Sequence, residues 1–218
     1  MSVARLHAVY GASGAGRGIM PLLRAQNGNA ADIECLYVDD AADGTLVNSQ
    51  RCLTLEQFLN EPVSERKIVL AVADGAIRRR LAERCHAERI GFLSVVAQQH
   101  VRMDASIIGE GAVFSPFTTV ASNVQIGKHF HCNINSYVEH DCVIGDFVTF
   151  APSVCCNGNI QIRDGAYIGT GAVIRQGRHG APLTIGENAV VGMGAVVLGD
   201  VAPGEIVVGN PARVMRRV

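Results

Sequence analysis

The chain has 218 residues, a formal net charge of −1 and a hydrophobic content of 48 %. This length accommodates one large domain or two small ones, and the balanced charge, without a basic stripe, argues against a nucleic-acid partner. No apolar run approaches the roughly 18 residues of a membrane span, and the N-terminus lacks the layout of a secretory signal. We therefore expect no membrane insertion, a cytoplasmic protein, and seven cysteines present as free thiols.

Strand and helix patterns alternate through the first hundred residues. In chain order they predict strands over 6–10, 33–38, 67–73 and 90–96, with helices over about 14–26, 53–59 and 76–87. This alternation is typical of a small parallel α/β sheet, here of the Rossmann-like kind. We assign residues 1–100 to this domain and expect the boundary between residues 98 and 104, where another pattern begins.

A glycine-rich turn, Gly11–Gly16, follows the first strand directly. Its glycines let backbone N–H groups approach an anion, and the start of the next helix favours negative charge. Asp39 and Asp40 end the second strand, where a doubly wound sheet would place them beside the same crevice, facing a ribose or base. The domain is too small for two mononucleotide halves, so we expect one nucleotide. A tight turn without any ligand is the alternative.

The densest basic run of the chain is Arg78-Arg79-Arg80, inside the third predicted helix. Such a run is usually a solvated helix face. We therefore expect its guanidinium groups to be exposed.

A six-residue repeat runs without a slip from Ile108 to Ile174 and, after an eleven-residue step, resumes at Ile185. The leading residue of each hexad is apolar, and the residue four places later is mostly small. A hexapeptide period is the signature of a parallel β-helix. Three hexads close one triangular coil, so residues eighteen apart stack about 4.8 Å from each other. We assign residues 101–218 to this solenoid. The leading residue of each hexad and the small residue four places later should both face its interior.

The most polar segment of the solenoid surrounds His140. This histidine is third in its hexad, which places it next to a corner and pointing outward, and Gly158 lies one coil above it. An imidazole titrates near neutral pH and is a candidate general base. Asp141 or Glu139 could hold one ring nitrogen and leave the other as an acceptor. A surface histidine without a role is the alternative.

Histidine and cysteine side chains between residues 129 and 156 resemble a metal cluster at first sight. The repeat argues against one, because Cys132 and Cys156 are leading residues and Cys142 occupies the small position. All three should face the interior as apolar fillers, away from the outward histidines. We expect no metal site.

Three further features of the solenoid could meet a ligand. The step after Ile174 leaves about five residues that must leave the prism as a loop, and loops on a rigid scaffold often shape grooves. Asn133, one hexad before His140, could bind a ligand or stabilise a corner. In the tail, Arg213, Arg216 and Arg217 could reach a phosphate or remain solvated.

Four motifs fall in the order of a known family. They are Gly-Ala-Ser-Gly from Gly11, Asp-Asp at Asp39, Glu-His-Asp-Cys-Val-Ile-Gly-Asp-Phe from Glu139, and Val-Gly-Asn-Pro-Ala-Arg ending at Arg213. On these motifs the chain resembles, along essentially its whole length, the bacterial sugar O-/N-acyltransferases of the left-handed β-helix superfamily. The family includes sialic acid O-acetyltransferases and N-acetyltransferases of nucleotide-linked 4-amino sugars of the bacillosamine and perosamine types. The histidine segment is the most specific motif.

The resemblance implies a left-handed solenoid, an exception to the usual right-handed crossover, and a homotrimer with acetyl-CoA between neighbouring solenoids. It implies that His140 is the base, Asp141 its acidic partner, and Gly158 the donor to the thioester carbonyl. The residues implied or nominated for the nucleotide-linked amino sugar are Gly11, Ser13, Gly14, Asp39, Asp40 and Asn133, and those for acetyl-CoA are Gly158, Thr170, Met193 and Arg213.

Two positions depart from the family pattern. Ala15 stands where many members carry histidine in the glycine-rich turn, and Thr149 stands where some place a second active-site histidine. The expected function is acetyl-CoA-dependent N-acetylation of the 4-amino group of a UDP- or GDP-linked 4-amino-4,6-dideoxy sugar. The alternatives are a sialic acid O-acetyltransferase, a zinc enzyme of the γ-carbonic-anhydrase type, and a non-catalytic nucleotide-sensing scaffold.

Overall fold

The computed structural model describes residues 4–215; Arg216 and Arg217 lie outside the described residues. An α/β unit is followed by a long solenoid of short parallel strands, so the predicted fold class is confirmed. No helix within the described range is long and apolar enough to cross a membrane.

Five parallel strands form the N-terminal sheet: β1 (Arg5–Tyr10), β2 (Ile33–Val38), β3 (Cys52–Leu53), β4 (Glu65–Leu70) and β5 (Gly91–Phe92). They lie in the order β3-β2-β1-β4-β5. Helix α1 (Gly14–Asn27) packs on one side of the sheet, and α2 (Leu55–Asn60) and α3 (Gly75–Ala87) pack on the other. The strand order reverses between β1 and β4, and ligands of such sheets bind beyond the carboxyl ends of the strands at this switch point.

Local sequence explains where the helices begin. Thr54 and Gln57 form a reciprocal capping box at the start of α2, and the Asp74 carboxylate accepts the Ile77 N–H at the start of α3. Helix α1 starts differently, because its N-cap residue Ser13 makes no side-chain hydrogen bond. It instead packs onto the preceding turn so closely that a Cβ on Gly16 would overlap the backbone of the turn.

The predicted strand over 90–96 is wrong as a single strand. Leu93 donates its N–H to Ile68 in the N-terminal sheet, whereas Val95 donates to Ala112 in the solenoid. The chain therefore changes sheets within two residues. Strand Val95–Val96 already belongs to the solenoid, ahead of the boundary expected near residue 100.

Three parallel sheets enclose the solenoid as a triangular prism. The first face consists of Val101–Arg102, Thr119–Val120, Tyr137–Val138, Cys155–Cys156, Val173–Ile174 and Val196–Val197. The second face consists of Ile107–Ile108, Gln125–Ile126, Val143–Ile144, Ile160–Ile162 and Leu183–Ile185. The third face consists of Val95–Val96, Val113–Phe114, His131–Cys132, Thr149–Phe150, Tyr167–Ile168, Val190–Val191, Ile206–Val208 and the antiparallel Arg213–Val214.

The interior follows the repeat. Strand partners are eighteen residues apart in the regular coils, as with Tyr137 and Cys155. The leading residues from Phe114 to Val197 are at most 4 % exposed, and Ile108 at the open end is half-buried. Phe130 occupies one of the mostly small positions and makes edge contacts with Phe114 and Phe150, so this level of the prism holds an aromatic stack.

A buried arginine joins the two domains. Arg78 of α3 is 0 % exposed, so the expectation of a solvated face is wrong for this residue, while Arg80 is exposed. The Arg78 guanidinium donates to the Val72 and Ala73 carbonyls of the N-terminal domain. In the solenoid it donates to the carbonyls of His129, Phe147 and Val148 and to the hydroxyl of Thr149. Burial lowers the pKa of Arg78 to about 10.

Candidate functional site

His140 and Asp141 form a hydrogen-bonded pair at one edge of the prism. We call this edge, where segments 121–124, 139–142 and 157–159 join the first face to the second, the histidine corner. Nδ1 of His140 lies 2.8 Å from Oδ2 of Asp141. The hydrogen bond from His140 is the main cause that lowers the pKa of the Asp141 carboxyl. An ionised Asp141 favours the tautomer with its proton on Nδ1, which leaves Nε2 as an acceptor.

Gly158 lies directly against this imidazole. A Cβ on Gly158 would come within 2.6 Å of both Cε1 and Nε2 of His140. The Gly158 carbonyl accepts the Gly177 N–H, but the N–H of Gly158 has no acceptor within residues 4–215. Nε2 of His140 likewise has no hydrogen-bond partner there. An acceptor nitrogen and an unpaired amide N–H thus stand side by side, 45 % of the imidazole being exposed.

A tyrosine and an asparagine support the backbone on which Gly158 sits. The Tyr137 hydroxyl donates to Oδ1 of Asn157 at 3.1 Å, and the Asn157 amide donates to the Ile174 carbonyl at 2.7 Å. Burial is the main cause that raises the pKa of Tyr137 to about 12. No signal in the sequence identifies this pair, because the six-residue pattern only marks both side chains as outward.

The cysteines behind the histidine corner point inward, as predicted. Cys132, Cys142 and Cys156 are at most 1 % exposed, and the Cys142 thiol lies 3.2 Å from the Asn157 carbonyl oxygen. No group of three or more His, Cys, Asp or Glu residues in the described part of the chain is arranged to hold a metal ion.

A second cleft, of about 370 Å³, lies at the switch point of the N-terminal sheet. We call the edge of the prism beside it, segments 115–118, 133–136, 151–154, 169–172 and 192–195, the asparagine corner. The cleft separates the start of α1 from this corner and from the third face. Its lining includes Gly14, Ala15, Ala73, His131, Asn133 and Thr149.

Some of the predicted ligand-binding groups of the glycine-rich turn are available to a ligand, and others are already engaged. Gly11 has a φ of +105°, and its N–H already donates to the Val38 carbonyl at 2.7 Å. Ser13 and Gly14 are exposed at the N-terminus of α1, where backbone N–H groups remain available to an anion.

The two acidic residues after β2 have different partners. Asp39 accepts the N–H of Ala12 in the glycine-rich turn at 2.9 Å. Asp40 accepts from the Tyr10 hydroxyl at 2.9 Å and forms a 2.7 Å ion pair with Arg84 of α3. Of the two aspartates, only Asp39 therefore hydrogen-bonds to the turn. The remaining lone pairs of the Asp39 carboxylate are available to accept a hydrogen bond from a ribose hydroxyl.

His131 lines the cleft and was not nominated from the sequence. The hexad pattern marks it as outward, but the N-terminal domain covers the third face at this level, and the residue is 8 % exposed. Burial, and next the positive charge of Arg78, hold its pKa well below the usual range. Its Nε2 has no partner among the described residues. Thr149, the departure noted above, donates to the Ala73 carbonyl and accepts from Arg78.

The remaining predicted residues lie away from His140. Thr170 and Met193 are exposed at the asparagine corner, above Asn133, and Met193 is 82 % exposed. Arg213 is exposed in the terminal antiparallel strand. Within one chain the first face separates Thr170 and Met193 from the histidine corner, and Arg213 lies at the C-terminal end of the prism, so the structure does not bring all the predicted site residues together.

Comparison with known proteins gives consistent matches over nearly the whole chain. No protein-family model matches. The GDP-perosamine N-acetyltransferase of Escherichia coli O157:H7 is 43 % identical over 214 residues, which cover 97 % of each chain. The structure of WeeI from Acinetobacter baumannii AYE matches with a TM-score of 0.95 at 46 % identity, covering 97 % of this chain and 100 % of that one. The acetyltransferase domain of PglB from Neisseria gonorrhoeae FA1090, in complex with acetyl coenzyme A, matches with a TM-score of 0.84 at 28 % identity, covering 97 % and 100 %.

Proposed function

The chain belongs to the bacterial sugar N-acyltransferases of the left-handed β-helix family and is a nucleotide-sugar N-acetyltransferase, and from this premise we propose that it acetylates the 4-amino group of a GDP-linked, perosamine-type 4-amino-4,6-dideoxy sugar. Acetyl-CoA is the co-substrate, as the complex of the PglB domain supports. Similarity to a GDP-perosamine enzyme over nearly the full length favours N-acetylation over the sialic acid, zinc-enzyme and scaffold alternatives.

The observation that carries the mechanism is the contact between His140 and Gly158. The sugar amine attacks the thioester carbonyl directly, and Nε2 of His140 accepts the ammonium proton as the tetrahedral centre forms. The unpaired Gly158 N–H donates to the developing oxyanion, which can contribute about 3–4 kcal/mol for a well-placed donor. Asp141 holds the imidazole in the required tautomer. When the centre collapses, the thiolate of CoA leaves and the amide remains on the sugar.

The cleft at the switch point suits the nucleotide. The exposed N–H groups at Ser13 and Gly14 and the positive end of α1 favour a diphosphate. Asp39, on the same side as the turn, has acceptor capacity for a ribose hydroxyl. Asn133 lines the far wall with its amide N–H₂, since its own carbonyl oxygen accepts the Ile134 N–H at 2.8 Å.

The separation of the two corners supports a homotrimer. His140 lies on one side of the first face, and Asn133, Thr170 and Met193 lie on the other. A ring of three chains would set the histidine corner of one subunit against the asparagine corner of the next. Acetyl-CoA would then lie in the groove, with Gly158 on one side and Thr170, Met193 and Arg213 on the other.

The test uses the full chain with acetyl-CoA and a panel of GDP-, UDP- and dTDP-linked 4-amino sugars, with free sialic acid as the competing acceptor. We expect an acetylated product by mass spectrometry with the GDP-sugar above all others, stable to mild alkali as an amide is. An alkali-labile ester on sialic acid, or no product with any amino sugar, would overturn the proposal. Sedimentation analysis of the same sample tests the trimer.

A further inference from the structure

The eleven-residue step in the repeat forms a loop that stands on the histidine corner. We call residues 175–182 the arginine loop. Arg178 and Ala181 close it through reciprocal backbone hydrogen bonds of 3.1 and 2.9 Å. At its base, Gly177 donates its N–H to the Gly158 carbonyl at 2.9 Å, and a Cβ on Gly177 would overlap the Asn159 carbonyl oxygen. The loop is therefore fixed directly above the glycine that faces His140.

The loop carries positive charge that the protein leaves unpaired. The side chains of Arg175, Arg178 and His179 are exposed and have no ion pair or hydrogen bond with any residue between 4 and 215. In contrast, Arg5, Arg51 and Arg84 of the N-terminal domain each pair with a carboxylate, namely Asp32, Glu34 with Glu61, and Asp40, respectively. Two unpaired arginines on one short, anchored loop are available to a ligand rather than to the fold.

These arginines border an open pocket of about 710 Å³. Its lining runs from Arg175 to Arg178 and from Ala181 to Leu183, and is completed by Gly199 and Asp200. Asp200 is the acidic residue of this lining, and its Oδ1 already accepts the Thr184 N–H at 2.8 Å. The pocket thus offers two guanidinium groups against one engaged carboxylate, which suits an anion with more than one charge. His179 contributes to the lowered pKa of Asp141, which places the loop within electrostatic reach of the reacting pair.

We propose that the arginine loop binds the diphosphate of acetyl-CoA while the thioester lies at His140 and Gly158. This inference rests on the proposed function, in which the diphosphate of the nucleotide-linked sugar binds at the start of α1 and acetyl-CoA lies in the groove beside Gly158. Arginine presents paired N–H donors that match phosphate oxygens, and such charge-assisted contacts are the stronger hydrogen bonds of proteins. The base of the loop stands about two coils, roughly 10 Å, above the His140 level, so the diphosphate binds away from the bond-forming atoms.

The test compares Arg175→Gln, Arg178→Gln and the double variant with Arg163→Gln as the matched control. Arg163 is also exposed on the solenoid, but its guanidinium bonds only Gln161 on another edge. We expect the double variant to raise the KM for acetyl-CoA by about 10–100-fold with kcat nearly unchanged, the size expected for lost charge-assisted contacts. A rise in the KM for the GDP-sugar alone would overturn the inference, because it would assign the loop to the nucleotide sugar.

A second measurement uses the wild-type protein and so does not depend on the folding of any variant. Inorganic pyrophosphate should compete with acetyl-CoA, and the competition should weaken with added salt. In the double variant the competition against acetyl-CoA should disappear. A KM for acetyl-CoA within about threefold of wild type, or no competition between pyrophosphate and acetyl-CoA, would overturn the inference. If the proposed function itself were wrong, the result would be different, because the wild-type protein would then form no acetylated sugar at all.

Discussion

His140 packs against Gly158 of the coil above so closely that a Cβ on the glycine would come within 2.6 Å of the imidazole Nε2. Both residues are held by the backbone ladder of the solenoid, in which Asn159 donates its N–H to the His140 carbonyl at 3.0 Å. The acceptor nitrogen and the amide N–H are therefore placed by stacked coils rather than by a mobile loop. Such preorganisation lowers the cost of reaching the productive geometry.

Gly158→Ala should reduce kcat by about 10²–10³, because the new methyl group displaces the imidazole and crowds the amide N–H. The backbone of Gly158 is not in the left-handed region, so the fold should tolerate alanine. Steady-state kinetics and a thermal melt of the same sample check both points. Gly91→Ala is the control, since its Cβ would lie no closer than 3.4 Å to the flexible Lys67 side chain and 3.9 Å to the Arg66 carbonyl oxygen. Wild-type turnover in Gly158→Ala would contradict this account of the corner.

His140→Asn should lower turnover by roughly 10²–10⁴, the usual range for a lost acid–base group. Binding of acetyl-CoA, followed by calorimetry, should persist, because the substitution leaves the groove in place. If turnover is unchanged, the amine arrives already deprotonated and His140 serves only to position it.

Asp141→Asn should lower kcat by about tenfold or more, because an amide can also donate and so permits the wrong imidazole tautomer. Asp141 acts through His140, so the loss should vanish when both substitutions are combined. The kinetics of the double variant check this. Glu139→Gln is the control, since Glu139 only accepts the His140 backbone N–H at 3.4 Å. An additive loss in the double variant would show that Asp141 has another role.

Arg78→Gln should destabilise the protein by roughly 3–5 kcal/mol, because several buried carbonyls lose their donor at once. Urea unfolding measures the change in the free energy of unfolding. Arg80→Gln, on the exposed side of the same helix, should change it by no more than about 0.5 kcal/mol. Equal effects of the two substitutions would mean that the buried guanidinium does not hold the domains together.

Stability should fall as the pH drops below about 6.5. His129 is 2 % exposed between Phe92 and Phe147, and burial lowers its pKa to about 4. The unfolded chain then binds the proton more readily than the folded one, so stability is full above pH 6.5 and is lost toward pH 4, by up to about 3 kcal/mol. The burial of His131 acts in the same direction.

The variant His129→Phe should flatten this pH dependence. His129 has a φ of +54°, and Phe147, eighteen residues later, already adopts a similar φ of +58°, so phenylalanine fits the backbone there. Thermal melts from pH 7 to pH 4 compare the variant with wild type. The same steep loss in both would show that other groups cause the acid sensitivity.

The features that the sequence predicted best are those in which each side chain occupies a defined position of the six-residue repeat. Leading and small positions predicted the coils and the inward Cys142, since the triangular cross-section imposes the same choice at every turn. Arg78 could not be found this way, because its acceptors are mostly backbone carbonyls of distant segments, which leave no mark in the sequence. His131 was missed because its burial depends on docking of the N-terminal domain, which no local pattern encodes.

The three-hexad coil also restricts how this protein could be lengthened or shortened. Six residues inserted between Val96 and His140 would move the imidazole by one hexad, a third of a turn around the prism. It would then lie on a different edge relative to the N-terminal domain. Eighteen inserted residues would leave the imidazole on the same edge and move it by one coil, about 4.8 Å, along the prism axis. The distance between the cleft at the N-terminal domain and His140 can therefore change only in steps of whole coils.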